Sequence, residues 1–219
     1  MVPRIPPAVL SRSTSIVSCI LLAWFLPLLA NAYVIIPSDA FQVTYAANLN
    51  KGDSVINISN TGSQDDTVSA NNICVNVYTF DPAEEMVSCC ACLITPNALV
   101  SLSVQGDLIS NTLSPATPTS VVIKFIATDA GHDNLSICSP GSVTSSQLAS
   151  GLRGWSTTLH ALPGTSGAYG LTEVDFQQSR LSGPELSHLT QFCGFIYSNG
   201  SGFGICKSCR ANGLAGGKQ

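Results

Sequence analysis

Charge is the scarcest property of this sequence. Only 10% of its 219 residues are Asp, Glu, Lys or Arg, and the nine Lys and Arg residues form no cluster. A chain without a basic patch cannot neutralise a run of phosphates or anionic headgroups, so nucleic acid and membrane surfaces are set aside as partners. Beyond the N-terminal region there is no second long apolar run, so no membrane insertion is expected once that region is removed. A G-x-S-x-G elbow is also lacking, and only His132, His160 and His188 are available as imidazole bases. Aromatic content, at 7%, is ordinary. What abounds is Ser, Thr, Asn and Gly, the polar uncharged surface of β-rich exported proteins.

The N-terminus carries an export signal. Arg4 and Arg12 give a positive start, Ile16–Ala30 is a short apolar run interrupted by Pro27, and Ala30-Asn31-Ala32 is a small-residue cleavage site. The expected organisation is a signal peptide over 1–32, one disulfide-rich β domain over 33–212, and a flexible tail over 213–219. Loss of Arg4 and Arg12 with the leader takes the net charge from -4 to -6. The expected location is secreted or periplasmic.

Nine cysteines are present, and Cys19 falls in the leader. The remaining eight, Cys74, Cys89, Cys90, Cys92, Cys138, Cys193, Cys206 and Cys209, are an even set in an exported chain and are expected to form up to four disulfides. Four of them lie in Ile73–Pro96, ICVNVYTFDPAEEMVSCCACLITP, which becomes the organising stretch of the chain. Its first half, Ile73–Phe80, alternates as a strand, with Cys74, Asn76, Tyr78 and Phe80 on one face and Val75, Val77 and Thr79 on the other. Asp81-Pro82 stops it, and Met86–Ile94 is expected to return antiparallel about a turn near Pro82-Ala83. That pairing makes Cys74–Cys90 or Cys74–Cys92 sterically reasonable. Adjacent Cys89 and Cys90 point to opposite sides of an extended segment, so each is expected to reach a different part of the fold.

The rest of the chain reads as further strands and one helix. Phe41–Ala46, Ser54–Ser59, Ala98–Val104 and Gly154–Leu162 alternate with period two, Thr172–Phe176 is a shorter candidate, and Ser120–Thr128 is apolar enough for a central strand buried on both faces. Asp107–Leu113 reads as a turn or short helical piece. Ser182-Gly-Pro-Glu185 fits a capping box, Leu186, Leu189, Cys193 and Ile196 recur at helical spacing, and Asn199-Gly200 supplies the stop. The expected fold is mainly β: an immunoglobulin-like or related antiparallel β-sandwich with one C-terminal α-helix, stapled by disulfides.

The combination ICVNVYTFD, CCAC and the ending CGFIYSNGSGFGICKSC resembles a family of uncharacterised exported bacterial proteins. The resemblance implies export from a bacterium and brings no activity, cofactor or site residue with it. In such a host the sequons at Asn57, Asn134 and Asn199 have no bearing.

Several constellations carry residue types that could do chemistry. Cys206-Lys-Ser-Cys209 has the spacing of a thiol–disulfide redox pair but follows a Gly-rich turn and has no evident activating helix; a bridge from Cys193 to Cys206 or Cys209 explains the same residues structurally. His188, Cys193, Cys206 and Cys209 are the residue types of a Cys3His zinc site, although His188 is off the helix stripe. Asp129–Asp133 with His132 carries two carboxylates without the alternating oxygens of a calcium loop. Glu84 and Glu85 follow a Pro turn and face solvent. Trp155, Tyr169, Tyr197 and Phe203 are the types of a sugar-stacking platform. The reading is a non-enzymatic structural or binding module with no cofactor, its partner a cell-surface glycan or a protein. The alternative is a redox or metal-dependent enzyme using Cys206 and Cys209.

Overall fold

In the computed structural model the described residues are 37–62, 72–130, 138–162, 164, 166–202 and 204–209. The expected leader and tail, most of the Asp129–Asp133 loop and Phe203 lie outside them. The elements in chain order are β1 (Phe41–Ala46), β2 (Val55–Asn60), β3 (Ile73–Phe80), β4 (Met86–Ile94), β5 (Leu99–Ser103), a π-helical turn (Val104–Leu108), β6 (Val121–Asp129), β7 (Leu152–Ala161), β8 (Tyr169–Asp175), β9 (Gln177–Gln178), α1 (Gly183–Ser198) and β10 (Gly204–Ile205).

Two sheets face each other. The first has the order β10-β4-β3-β6-β1-β9, and the second β5-β2-β7-β8. All pairings are antiparallel except β10 with β4, which is parallel. The mainly β sandwich with one C-terminal helix is therefore the fold, and the strand positions agree with the periodicity to within a few residues. The edge strands of the larger sheet, β9 and β10, are only two residues long.

The alternation in β3 explains the layering. Ile73, Val75 and Val77 enter the core between the sheets, where they meet Ile56 and Ile58 of β2, Leu102 of β5, Leu152 of β7, and Val121, Ile123 and Phe125 of β6. Tyr78 and Phe80 point the other way and join Leu186, Leu189, Cys193 and Ile196 of α1 in a second cluster. The larger sheet is thus buried on both faces around β3 and β4, between the smaller sheet and the helix. Every residue of β3 is buried, and β6 beside it alternates Val121, Ile123, Phe125 and Ala127 inward with Ile126 toward the helix side, as its continuous apolar run requires.

Helix α1 forms where its signals place it. Ser182 Oγ accepts from the Glu185 N–H at 3.2 Å, Pro184 sits in the first turn, and Gly200 beyond the C-cap has φ +82°. One part of the expected capping box is not made: the Glu185 carboxylate turns outward and accepts from Lys124 Nζ at 2.6 Å. A charged amine on the adjacent strand is a stronger partner for a carboxylate than a neutral backbone N–H.

All four disulfides have one end in the β3–β4 hairpin: Cys74–Cys138, Cys89–Cys193, Cys90–Cys206 and Cys92–Cys209. Two expected pairings are corrected. Cys74 does not bond Cys90 or Cys92, because the hairpin register sets Cys74 opposite Leu93, with Cys92 opposite Val75 and Cys90 opposite Val77. Opposed residues share a face, so Cys90 and Cys92 enter the inter-sheet core while Cys74 lies on the other face beside Ala91 and Cys138. Nor does Cys193 bond Cys206 or Cys209; the helix lies over the outer face of β4, where Cys89 emerges, whereas Cys206 and Cys209 are on the core side.

Candidate functional site

The Cys206-Lys-Ser-Cys209 segment was the most specific chemical motif in the sequence. Its cysteines are 0% and 5% exposed and each is bonded to a distant strand residue, Cys206 to Cys90 and Cys209 to Cys92. They do not bond each other. Lys207–Cys209 forms one 3-10 turn, held by a carboxylate distant in sequence: Asp107, 2% exposed, accepts from the Ser208 N–H at 2.7 Å and Oγ at 2.8 Å, and from the Ser103 N–H at 2.9 Å. Spending both Asp107 oxygens on three donors satisfies a buried charge that otherwise costs several kcal/mol. The segment is built as an anchor for this 3-10 turn, with no exposed dithiol.

The zinc-type set is not brought together. Cys193, Cys206 and Cys209 are in different disulfides, and the His188 ring lies 4.3 Å from that of Phe192 on the outward side of α1. Among the described residues no group of three His, Cys, Asp or Glu side chains converges in metal-binding geometry. Of the imidazoles, His160 contacts Tyr45 edge-on at 6.3 Å between ring centroids, and no serine hydroxyl is hydrogen-bonded to it or to His188 among the described residues. Glu84 and Glu85 are exposed at the β3–β4 turn, as expected. The Asp81 side chain builds that turn by accepting from the N–H groups of Ala83 and Glu85, each at 2.9 Å.

The aromatic platform is divided between layers. Trp155 is on β7 with its neighbours Gly154 and Ser156 buried, so the indole stands on the outward face of the smaller sheet, half-buried. Tyr169, in β8 opposite Ala161, belongs to the same sheet but three outward-facing pairs further along, about 20 Å at the usual rise per residue. Tyr197 is 62% exposed on α1, which covers the other sheet. Trp155 and Tyr197 therefore serve different surfaces.

The outward face around Trp155 has residues the sequence reading did not single out. Strand register aligns Ser101, Asn57, Trp155 and Asp175 in one row across β5, β2, β7 and β8. The next row is Ser103, Val55, Thr157 and Glu173. Ser101 Oγ donates to Asn57 Oδ1 at 2.7 Å, and Arg153, one step along on the same face, pairs with Asp39 at 2.9 Å while half of its side chain stays exposed. This leaves an indole flanked by amide, hydroxyl and carboxylate groups on a two-dimensional grid. Alternation along each strand is compatible with Asn57, Ser101 and Trp155 facing outward, but only the pairing of non-consecutive strands makes them neighbours.

No protein-family model, curated relative or solved structure matches the chain.

Proposed function

We propose that the protein is a non-enzymatic binding module, exported from a bacterium to the periplasm or the exterior, whose ligand is a neutral glycan held on the outward face of the smaller sheet. The observation that carries this reading is the row Ser101–Asn57–Trp155–Asp175. An indole presents a flat apolar surface to the C–H face of a sugar ring, and the amide, hydroxyl and carboxylate groups beside it match the ring's hydroxyls as donors and acceptors. The scaffold supports such a role: the strands carrying the row are fixed by ladder hydrogen bonds on both sides of β2 and β7, so little order has to be gained on binding.

The four bridges support export to an oxidising compartment, since structural disulfides persist there and are rare in reducing cytosol. The redox alternative finds no support in the geometry of Cys206 and Cys209, which are buried and bonded to different strand residues. A glycan array probed with the disulfide-intact protein tests the reading. Trp155→Ala is expected to abolish the signal for any neutral glycan bound, with Tyr197→Ala, on the far side, leaving it unchanged. An array with no neutral glycan bound, or binding indifferent to Trp155→Ala, overturns it.

A further inference from the structure

A second surface, on the opposite side of the molecule, is built differently. Helix α1 carries two stripes. Leu186, Leu189, Cys193 and Ile196 are buried against the larger sheet, whereas Phe192 and Phe195 are 45% and 57% exposed. With His188 they follow the four- and three-residue spacing of a continuous helical stripe. A helix needs one apolar stripe to dock on its own sheet, and among the described residues the second has no covering layer. Leu113, 44% exposed, approaches from the segment after the π-helical turn. Together with Met86, Val87 and Ile196 these residues line a groove of about 410 Å³, to which Glu84 and Glu85 add two exposed carboxylates.

The rim is what identifies the occupant. Glu84 and Glu85 are both exposed on the Asp81-capped turn, and Glu84 is held at φ +67°. Neither is in an ion pair among the described residues; those present are Lys124–Glu185 and Arg153–Asp39. The groove thus joins an apolar floor to uncompensated negative charge, a combination complementary to an apolar side chain flanked by Lys or Arg. A second copy docking the same face on itself would bring carboxylate rims together across the two-fold axis, and an anionic lipid surface would be repelled by the same rim. The Cys89–Cys193 bridge pins the helix to β4 beside the groove, so the two walls keep their spacing. We propose that this groove docks a cationic, apolar peptide segment of a partner protein.

The probes are two fluorescein-labelled dodecapeptides with Leu and Trp at helical spacing, one with Lys and one with Glu at the remaining positions, read by fluorescence polarisation on the full disulfide-intact protein. The Lys peptide is expected to bind at least about tenfold more tightly than the Glu peptide, and added salt weakens it. Phe192→Ser with Phe195→Ser, and separately Glu84→Gln with Glu85→Gln, are each expected to weaken binding by about fivefold or more. The carboxylate variants leave the core untouched, so the idea stays falsifiable even where the Phe pair alters folding. It is overturned by absent binding, by equal affinity for the two peptides, by insensitivity to the Glu substitutions, or by concentration-dependent dimerisation that Phe192→Ser with Phe195→Ser removes. Because the row around Trp155 is on the other sheet, Trp155→Ala is expected to leave peptide binding intact, and failure of either site is read separately.

Discussion

Cys89 and Cys90 are consecutive residues of β4, yet their bridges leave the sheet on opposite faces: Cys89 to Cys193 in the helix layer, and Cys90 to Cys206 under the inter-sheet core. The two-residue period of a strand makes this possible. One peptide bond thereby couples all three layers, and Cys92, two residues on, repeats the inward connection to Cys209. The β3–β4 hairpin is the point from which the C-terminal segments are hung.

Because the bridges span 64, 104, 116 and 117 residues, each restrains a long loop of the unfolded chain. Loss of one, as in the paired Cys89→Ala and Cys193→Ala variant, is expected to cost about 2–4 kcal/mol, or roughly 5–15 °C in melting temperature. A non-reduced proteolytic digest should yield the four named pairs by mass spectrometry. Recovery of Cys206–Cys209 or Cys74–Cys92 linkage would refute the layering argument.

How far the sequence carries is clearest at the cysteines. Which residues bond was legible from an even count in a chain expected to be exported, and so was the opposed direction of Cys89 and Cys90. Their partners were not, because partner choice depends on which layer covers each face, and no local spacing encodes that. Cys74 shows the point: it lies near Cys90 and Cys92 along the hairpin but on the other face. Strand β8 was read short, as Thr172–Phe176, because Leu171 and Glu173 on this edge strand are exposed and give no clean alternation. The groove had a readable signal in the His188, Phe192, Phe195 stripe, overlooked beside the stronger one of Leu186, Leu189, Cys193 and Ile196. Asp107 had none; one donor, Ser103, is four residues away, but the other, Ser208, is 101 residues away in sequence.

Asp107→Asn tests that carboxylate. An amide keeps the size but offers one acceptor oxygen and brings an NH2 group against donors that need acceptors. The substitution is expected to lower stability by about 1–3 kcal/mol in urea unfolding and to expose the last turn to proteolysis near Lys207. A change below about 0.5 kcal/mol, the range of ordinary surface substitutions, would mean that the three hydrogen bonds contribute little.

Gly154 packs against the Phe125 and Phe176 rings in the core between the sheets. The Phe125 and Phe176 rings stack with centroids 4.2 Å apart, and a Cβ at position 154 would lie 3.0 Å from Phe125 and 3.1 Å from Phe176. Gly154→Ala is expected to destabilise by about 1–3 kcal/mol through overpacking, against the small gain that Gly→Ala gives where space allows. An unchanged urea midpoint would show that the stacked rings shift freely.

Tyr78 sets an alkaline limit on the fold. Its side chain is fully buried between β3 and the helix layer, and its hydroxyl donates to the Pro140 carbonyl at 2.8 Å. Burial raises its pKa far above the ordinary tyrosine value, since the phenolate would have to form in an apolar setting. The native state therefore holds this proton where the unfolded chain releases it. The stability it confers is present in full below the unfolded pKa of about 10 and declines as pH rises beyond it toward the higher folded value. Urea unfolding between about pH 9 and 11 should show a falling midpoint for the native sequence and a shallower fall for Tyr78→Phe. At neutral pH the same variant is expected to cost about 1 kcal/mol, because the Pro140 carbonyl loses its donor. Equal alkaline slopes for the two proteins would remove Tyr78 as the group responsible.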